Sequence, residues 1–210
     1  MIRTIIFDFD GTIADTLPIV IKNAGKLCKA LGLKQIKYTP KIRDKSLRDF
    51  RRKELKISIF KQMAYVRKLR KLLAPELKEA KVFEGIKQTI DRLSEQFRIG
   101  ILTSNSKEIV EKVLQDNKIS TIDFISSESS IFGKHRRLRK VLRKQRLRKN
   151  EVIYVGDEVR DIEASKKAGI RIIAVSYGFN SEKALLENAP DGLAETPKEI
   201  IKAVQEMNKS

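Results

Sequence analysis

The second half of the chain alternates short apolar runs with segments of helical spacing, and this alternation limits the folds it can adopt. Apolar runs occupy residues 98–103, 123–126, 152–155 and 171–175, and helical patterns follow them at 107–114, 136–147, 162–168 and 184–186. Strands separated by helices of this kind are typical of a parallel sheet with helices on both faces. We therefore predict an α/β fold with a doubly wound parallel sheet.

The region between the first apolar run and residue 80 has a different pattern. Residues 4–7 form a short β-rich run that joins the predicted sheet, whereas residues 16–80 show only helical spacing, as at Phe60, Met63 and Ala64. Proline and glycine mark both ends of this helical stretch. The pattern predicts a core domain from residues 1–15 and 81–210, interrupted by a helical cap domain at 16–80.

Positive charge is concentrated in two segments of the chain. The net charge is +18; residues 16–80 hold 13 Lys and 6 Arg against 5 acids, and residues 134–149 hold ten Lys or Arg and no acid. Such charge attracts phosphoesters, nucleic acid and acidic surfaces alike. We interpret the second segment as a solvated helix face and disfavour nucleic-acid binding, because no aromatic residues are interleaved with the charges.

Composition also bears on where the protein works. No apolar run approaches the roughly 18 residues that span a bilayer, so we expect no membrane insertion. Cys28 is the single cysteine of the 210 residues and has no internal disulfide partner, which fits a reducing compartment. We expect a cytoplasmic protein, and the sequence leaves its oligomeric state open.

Polar residues follow three of the predicted strands, at the point where each strand ends. They are Asp8 and Asp10, then Ser104 and Asn105, then Asp157 and Glu158. The carboxyl ends of parallel strands meet at one edge of a sheet, which is where open α/β sheets bind ligands. Carboxylate and carbonyl oxygens suit Mg²⁺, which takes one or two carboxylates together with substrate phosphate. The sequence therefore predicts a magnesium site at this edge.

The same residues fit the chemistry of phosphate-ester hydrolysis. Asn105 followed by Glu108 predicts a capped helix start whose free N–H groups, with the Ser104 hydroxyl, would hold phosphate oxygens. Lys134 would balance the remaining negative charge. One carboxylate can attack phosphorus while a second protonates the leaving alcohol and then activates water. This combination predicts two-step hydrolysis through an aspartyl phosphate.

Four segments, in order along the chain, resemble the motifs of the haloacid dehalogenase superfamily. They are Asp8-Phe9-Asp10-Gly11-Thr12, Leu102-Thr103-Ser104-Asn105, Lys134, and Gly156-Asp157-Glu158-Val159-Arg160-Asp161. The resemblance covers essentially the whole chain and implies a Rossmann-like core. The insertion after the first motif is similar to the cap of the phosphoglycolate phosphatase and β-phosphoglucomutase branch, which implies a mobile lid.

The resemblance implies a role for each motif residue. Asp8 would be the nucleophile and a metal ligand, and Asp10 the general acid and base, binding metal through its carbonyl. Ser104, Asn105 and Lys134 would bind the substrate phosphate, with Lys134 also stabilising the nucleophile. Asp157 would bind Mg²⁺, and Asp161 and Thr12 would support the site.

Three functions remain open on these grounds. The resemblance favours a Mg²⁺-dependent phosphatase acting on a small phosphorylated metabolite, whereas the presence of Asp10 disfavours a dehalogenase, which dispenses with that second acid. A sugar-phosphate mutase shares the same four motifs, and a basic protein that binds nucleic acid or an acidic partner on this scaffold is a third reading. Lys140 and Lys144 are alternatives to Lys134, and His135 is expected to be a solvated surface residue.

Overall fold

The computed structural model describes residues 1–30, 40–44, 71–127 and 133–209. Several residues of the predicted cap lie outside this part of the chain. The sequence predicts an apolar cap core from Phe50, Phe60 and Tyr65, and a basic substrate entrance from Arg43, Arg48, Arg51 and Arg52; of these, the structure describes only Arg43.

Within the described residues, six strands form one parallel sheet. They are β1 (Thr4–Phe7), β2 (Arg98–Thr103), β3 (Phe124–Ser127), β4 (Val152–Gly156), β5 (Arg171–Val175) and β6 (Gly192–Ala194). Their order across the sheet is β3-β2-β1-β4-β5-β6, and every pairing is parallel. The predicted doubly wound parallel sheet is confirmed; β6 is an additional strand that the apolar pattern did not indicate.

Helices connect the strands in sequence, and one more helix follows the last strand. They are α1 (Leu17–Ala30), α2 (Ile86–Ser94), α3 (Lys107–Asp116), α4 (Lys134–Lys144), α5 (Val159–Ala168), α6 (Glu182–Leu186) and α7 (Pro197–Lys209), with 3-10 turns at Pro40–Asp44 and Lys149–Glu151. Residues 71–77 are also helical. The helix predicted at 136–147 begins two residues earlier and ends at Lys144, shortly before Arg146 adopts a left-handed backbone conformation with φ 55°.

Alternate side chains of the strands build two cores, one on each face of the sheet. Ile5 and Phe7 of β1 pack in the core that contains Ile90 of α2 and Val204 of α7. On the other face, Ile6 packs in the core that contains Leu138 of α4 and Ile162 of α5. Because side chains in a strand alternate in direction, the complete burial of β1 requires helices on both faces. The result is a three-layer arrangement with β1 near its centre.

Along the chain, strands β2 and β3 are added to one side of β1, and strands β4, β5 and β6 to the other. The candidate site lies at this change of side. β1 pairs with β2 on one side, where Phe7 lies opposite Ile101, and with β4 on the other, where Phe7 lies opposite Val155. The chain segments that follow β1, β2 and β4 therefore emerge side by side at one edge. Crevices at such points are where open α/β sheets bind ligands.

The chain leaves and re-enters the core through two adjacent segments. The Asp15 amide donates to the Lys81 carbonyl at 2.8 Å, the Phe83 amide donates to the Ile13 carbonyl at 3.0 Å, and Ala14 forms an antiparallel bridge with Val82. The boundaries predicted at 15/16 and 80/81 lie beside this crossing. The division into core and cap domains stays a prediction.

Candidate active site

Asp8 follows β1 directly and is held at both carboxylate oxygens. Its Oδ1 accepts from the Phe9 amide at 2.9 Å, its Oδ2 accepts from the Lys134 ammonium at 2.6 Å, and its own amide donates to the Val155 carbonyl at 2.8 Å. Only 5% of the residue is exposed. The carboxylate is thus fixed in orientation at the centre of the strand edge.

Lys134, the first residue of α4, joins two carboxylates from distant parts of the chain. Its ammonium pairs with Asp8 and also with Asp161 of α5. Burial by itself would lower the pKa of Lys134, but the charges of Asp161 and Asp8 outweigh it and raise the pKa above its ordinary value. Lys134 therefore carries its charge at neutral pH, whereas Lys140 and Lys144 lie on the exposed face of α4.

Asp157, after β4, is fully buried and also held at both oxygens. The Thr12 hydroxyl donates to Oδ1 at 3.0 Å, and the Phe179 amide donates to Oδ2 at 2.7 Å. Gly11 packs directly against this carboxylate: a Cβ added to Gly11 would lie 2.1 Å from Asp157 Oδ2. Gly11 has φ +73°, so both its conformation and its lack of a side chain are needed here.

Asp8, Asp157 and Asp161 together form a compact acidic cluster. One carboxylate oxygen from each lies within 4.8 Å of the others, and all three residues are buried. Burial, and then the charges of Glu158, Asp161 and Asp8, raise the pKa of Asp157 well above its ordinary value. Burial and neighbouring acids raise the pKa of Asp161 to about 6 despite the opposing charge of Lys134.

The chemistry of this cluster fits a divalent cation. Buried carboxylates at such short separations repel one another, and a single ammonium offsets only part of their charge. Three hard oxygen donors, free of sulfur or imidazole, match the preference of Mg²⁺. Among the described residues, no other group of three or more Asp, Glu, His or Cys side chains brings its ligand atoms close enough together to share one metal ion.

Asp10 lies beside the cluster and is paired with Asn105. The Asn105 side-chain nitrogen lies 2.9 Å from both Asp10 carboxylate oxygens. Burial, and then the charge of Asp8, raise the pKa of Asp10 to about 6, while the hydrogen bonds from Asn105 act in the opposite direction. A carboxyl group with this pKa can give and take a proton near neutral pH, as acid–base catalysis requires.

The residues after β2 correct one detail of the prediction. The cap of α3 is Ser106, whose hydroxyl accepts from the Ile109 amide at 3.4 Å, and not Asn105 as the spacing to Glu108 had indicated. The Asn105 side chain turns towards Asp10 instead. Ser104 is partly buried at the carboxyl end of β2, next to Asn105 and at the same edge as Asp8.

Arg43, which the sequence predicts at the substrate entrance, hydrogen-bonds to the loop after β5. Its Nη2 donates to the Ser176 and Gly178 carbonyls, each at 2.9 Å. Its own carbonyl accepts from the Asn180 side chain at 2.8 Å. Arg43 thus fastens residues of the insertion to the loop after β5, the same loop whose Phe179 amide binds Asp157.

Sequence reasoning missed the parts of the site contributed by this loop. Asn180 is buried and its Oδ1 accepts from the Val159 amide at 2.9 Å, which holds the first turn of α5. Glu158, which the sequence had already indicated after β4, is buried and accepts from Arg160 Nε at 2.8 Å. The polar loop after β5 could have been predicted to contribute to the site, because it also begins at the carboxyl end of a strand. No sequence motif, however, singles out Asn180 within that loop.

Comparison with known proteins agrees with this geometry. A family model described as haloacid dehalogenase-like hydrolase matches residues 5–175. The chain is 32% identical over 209 residues to a phosphoglycolate phosphatase of Synechococcus elongatus, covering 98% of each chain. It is 25% identical over 217 residues to a pyrophosphatase of Bacillus cereus, covering all of this chain and 99% of that one.

A solved structure extends the likeness to three dimensions. A haloacid dehalogenase-like hydrolase of Streptococcus pneumoniae superimposes with a TM-score of 0.78 at 25% identity, covering 97% of this chain and 99% of that one. The chain belongs to the haloacid dehalogenase-like hydrolase family. The predicted resemblance and the prediction of a phosphatase-type hydrolase are confirmed. Within the described residues, helices long and apolar enough to cross a bilayer are absent.

Proposed function

We propose that this protein is a Mg²⁺-dependent phosphatase that hydrolyses a small phosphorylated metabolite through an aspartyl phosphate on Asp8. One observation carries the proposal: Lys134 links the buried Asp8 to Asp161 in a cluster with Asp157, next to an Asp10 whose pKa is raised to about 6. This arrangement combines a nucleophile, a metal-binding cluster and a proton donor within one crevice.

The side chains of Asp8 and Asp157, with the Asp10 carbonyl, would hold the metal, and Asp161 and Thr12 would support them. Thr12 already binds Asp157 Oδ1, and Asp161 accepts from the Glu158 amide at 3.1 Å and pairs with Lys134. When bound, Mg²⁺ supplies a positive charge that neutralises the acidic cluster and polarises the phosphoryl group.

In the first half-reaction a carboxylate oxygen of Asp8 forms a bond to phosphorus as the bond to the leaving oxygen breaks. Protonated Asp10 gives its proton to that oxygen, so that the product leaves as an alcohol. Ser104, Asn105 and Lys134 would bind the phosphoryl oxygens. The Phe9 amide and the Lys134 ammonium hold Asp8 in a single orientation throughout.

In the second half-reaction Asp10 is a carboxylate and takes a proton from water. The water oxygen then forms a bond to phosphorus, the bond from phosphorus to Asp8 breaks, and inorganic phosphate is released. The Asn105 side chain stabilises the charged form of Asp10 between the two steps. The protonated form and the charged form of Asp10 are therefore both used in one catalytic cycle.

The proposed substrate is a small phosphomonoester of the phosphoglycolate type, with a second anionic group. The relative at 32% identity, which matches over its full length, is named a phosphoglycolate phosphatase. The sequence of the insertion is strongly basic, which favours an anionic substrate. Pyrophosphate is the competing substrate, because another full-length relative is named a pyrophosphatase. The single cysteine and the small-metabolite chemistry fit a cytoplasmic enzyme.

A substrate panel tests the proposal directly. Purified protein is incubated with phosphoglycolate, pyrophosphate, sugar phosphates and a neutral-tailed phosphomonoester, with Mg²⁺ or with chelator, and released phosphate is measured. We expect Mg²⁺-dependent release, highest with phosphoglycolate and abolished in Asp8→Asn. Release that persists in Asp8→Asn would rule out the nucleophile, and preference for the neutral-tailed ester would rule out the substrate class.

A sugar-phosphate mutase is the second candidate, since it uses the same four motifs. It would return the phosphoryl group from Asp8 to a second hydroxyl, so a sugar phosphate would be converted to its isomer with little free phosphate. Chromatography of the sugar-phosphate reactions separates the two outcomes: isomer formation supports the mutase, and stoichiometric phosphate supports the phosphatase.

A further inference from the structure

The outer side of α4 and the segment directly after it carry a set of exposed cations outside the proposed catalytic site. We call these residues the α4 basic surface: Arg136, Arg139, Lys140, Arg143, Lys144, Arg146, Arg148 and Lys149. The sequence from 134 to 149 contains no acid. Lys134 and Arg137 of the same helix are buried and turn inward, to Asp8 and to the Thr103 carbonyl, so they are not part of this surface.

The fold holds these cations in a fixed arrangement. The apolar side of α4, with Leu138, Val141 and Leu142, is buried in the core against the sheet. The charges at Arg136, Arg139, Lys140, Arg143 and Lys144 recur every three or four residues, which places neighbours about 5–6 Å apart at Cβ on one helix face. The positive stripe is therefore rigid at the backbone and spans most of the length of the helix.

The positive surface continues past α4 onto α5 and the lower edge of the sheet. Arg139 donates to the Lys167 carbonyl, which brings the exposed Lys166 and Lys167 alongside. A Cβ placed on Gly169 would lie 3.7 Å from the Lys149 ammonium. An open cavity of about 640 Å³ follows, lined by Lys149, Lys166, Arg171 and also by Asp191, whose Oδ2 accepts from the Ile172 amide.

The effect of this charge is visible at His135, the single histidine. Burial, and then the positive charges of Arg136, Arg139 and Lys167, lower the pKa of His135. The structure shows it partly buried rather than fully solvated. At neutral pH it adds no further charge, and the neighbouring arginines and lysines dominate the local field.

We propose that the α4 basic surface binds the phosphate backbone of double-stranded nucleic acid. A row of cations fixed on a helix can neutralise successive backbone phosphates, a mode of binding that is independent of base sequence. Residues 134–149 contain no Phe, Tyr or Trp on which unstacked bases could stack. This absence, which from the sequence alone disfavours nucleic acid, argues against a single strand and not against a duplex bound through its phosphates. This inference is separate from the phosphatase proposal and does not require catalysis.

Two other polyanionic partners fit the surface less well. Binding in the plane of an anionic membrane needs an apolar helix face to insert, and the apolar face of α4 is already buried in the core. A protein interface needs apolar or aromatic anchors at its centre. The exposed large hydrophobic residues in the described part of the chain are Met1, Leu72 and Leu186, none of them on α4.

The test measures binding of the whole protein to a fluorescent 20-base-pair duplex by anisotropy across a salt series, with single strands and phosphatidylserine vesicles as competing ligands. The variant Arg143→Gln/Lys144→Gln/Arg148→Gln removes three charges from the surface. The matched control, Lys198→Gln/Lys202→Gln/Lys209→Gln, removes three exposed charges from α7 and changes net charge equally. Thermal unfolding checks that both variants fold.

We expect duplex affinity of the surface variant to fall at least tenfold at constant salt, and the slope of log affinity against log salt to lessen by about 2 to 3. The α7 control should change by less than about twofold, and Asp8→Asn should bind like the native protein. Equal losses in both triple variants, absence of duplex binding at low salt, or preference for vesicles or single strands would each overturn the proposal. Phosphatase activity should be unchanged in both triple variants.

Discussion

The side-chain nitrogen of Asn105, at the end of β2, lies 2.9 Å from both carboxylate oxygens of Asp10, which follows β1. This contact orients the proposed acid and stabilises its charged form, while burial and Asp8 favour the neutral form. The two opposing effects leave the pKa of Asp10 near 6, where one group can serve both half-reactions.

Replacing Asn105 with Ala removes the hydrogen bond that lowers the pKa of Asp10. We expect that pKa to rise, so the alkaline limb of the kcat profile, where Asp10 must be protonated, moves to higher pH. Loss of orientation should lower kcat by about tenfold, a fraction of the total general acid–base contribution. Steady-state kinetics from pH 5 to 9 measure both effects. Asn117→Ala, which removes a hydrogen bond to the Val113 carbonyl in α3, should leave the profile in place.

Replacing Lys134 with Met leaves Asp8 and Asp161 buried without their shared cation. Breaking a buried ion pair by removing one partner costs about 3–5 kcal/mol, so the free energy of unfolding should fall by roughly that amount in metal-free protein. Urea titration measures the change. Lys144→Met, on the exposed side of the same helix, should cost under about 1 kcal/mol; equal losses would contradict the pairing seen at the site.

The raised pKa of Asp10 predicts that the free energy of unfolding depends on pH. The folded state binds the Asp10 proton more tightly than the unfolded chain, so ionisation between about pH 4 and pH 6 lowers the free energy of unfolding as pH rises. Asp10→Asn lacks this titration and should gain stability relative to the native protein over that range, by at most about 3 kcal/mol. Unfolding curves in chelator from pH 4 to 7 measure the difference, and a difference independent of pH would refute the shift.

Replacing Arg43 with Ala removes the side-chain hydrogen bonds to the Ser176 and Gly178 carbonyls and leaves the loop after β5 held to the 3-10 turn at Pro40–Asp44 only by contacts such as that of Asn180 with the Arg43 carbonyl. Because that loop supplies the Phe179 amide to Asp157, we expect Mg²⁺ affinity to fall by about tenfold, in line with the cost of losing outer partners of a metal ligand. Isothermal titration with Mg²⁺ measures the loss. Arg3→Ala, which removes an exposed arginine paired with Glu151, serves as the control.

Two glycine variants separate backbone strain from crowding at Asp157. A Cβ on Gly178 would lie 2.3 Å from the Gly11 carbonyl oxygen and 2.4 Å from Asp157 Cβ, whereas one on Gly85, at φ +82°, would meet nothing within 4 Å. Gly85→Ala should cost about 1–2 kcal/mol and leave activity intact. Gly178→Ala should cost more and abolish Mg²⁺-dependent activity; intact activity there would contradict the close packing around Asp157.

Much of the sheet could be predicted from the local pattern of apolar residues. The strands at Arg98–Thr103 and Arg171–Val175 have the predicted bounds, because buried parallel strands are short continuous apolar runs. Strand β6 was missed because Gly192–Ala194 is only three residues long and offers no continuous apolar run. Asn105 was misassigned as a helix cap because Asn and Ser cap equally well, and the choice depends on what else lies within reach.

Asp8, Asp10 and Asp157 could be chosen from the sequence because they lie at or just after the carboxyl ends of predicted strands, whereas Lys134 was chosen through the family resemblance, since the predicted helix began at residue 136. Sequence alone therefore determined the fold class, the edge that bears the site and the chemical types gathered there. The tertiary structure decided which of these groups touch: that Lys134 joins Asp8 to Asp161, and that Arg43 and Asn180 support Asp157 through the loop after β5. Apolar periodicity is a property of neighbouring residues, whereas these contacts join positions 21 to 133 residues apart, whose relative placement depends on packing of the whole chain.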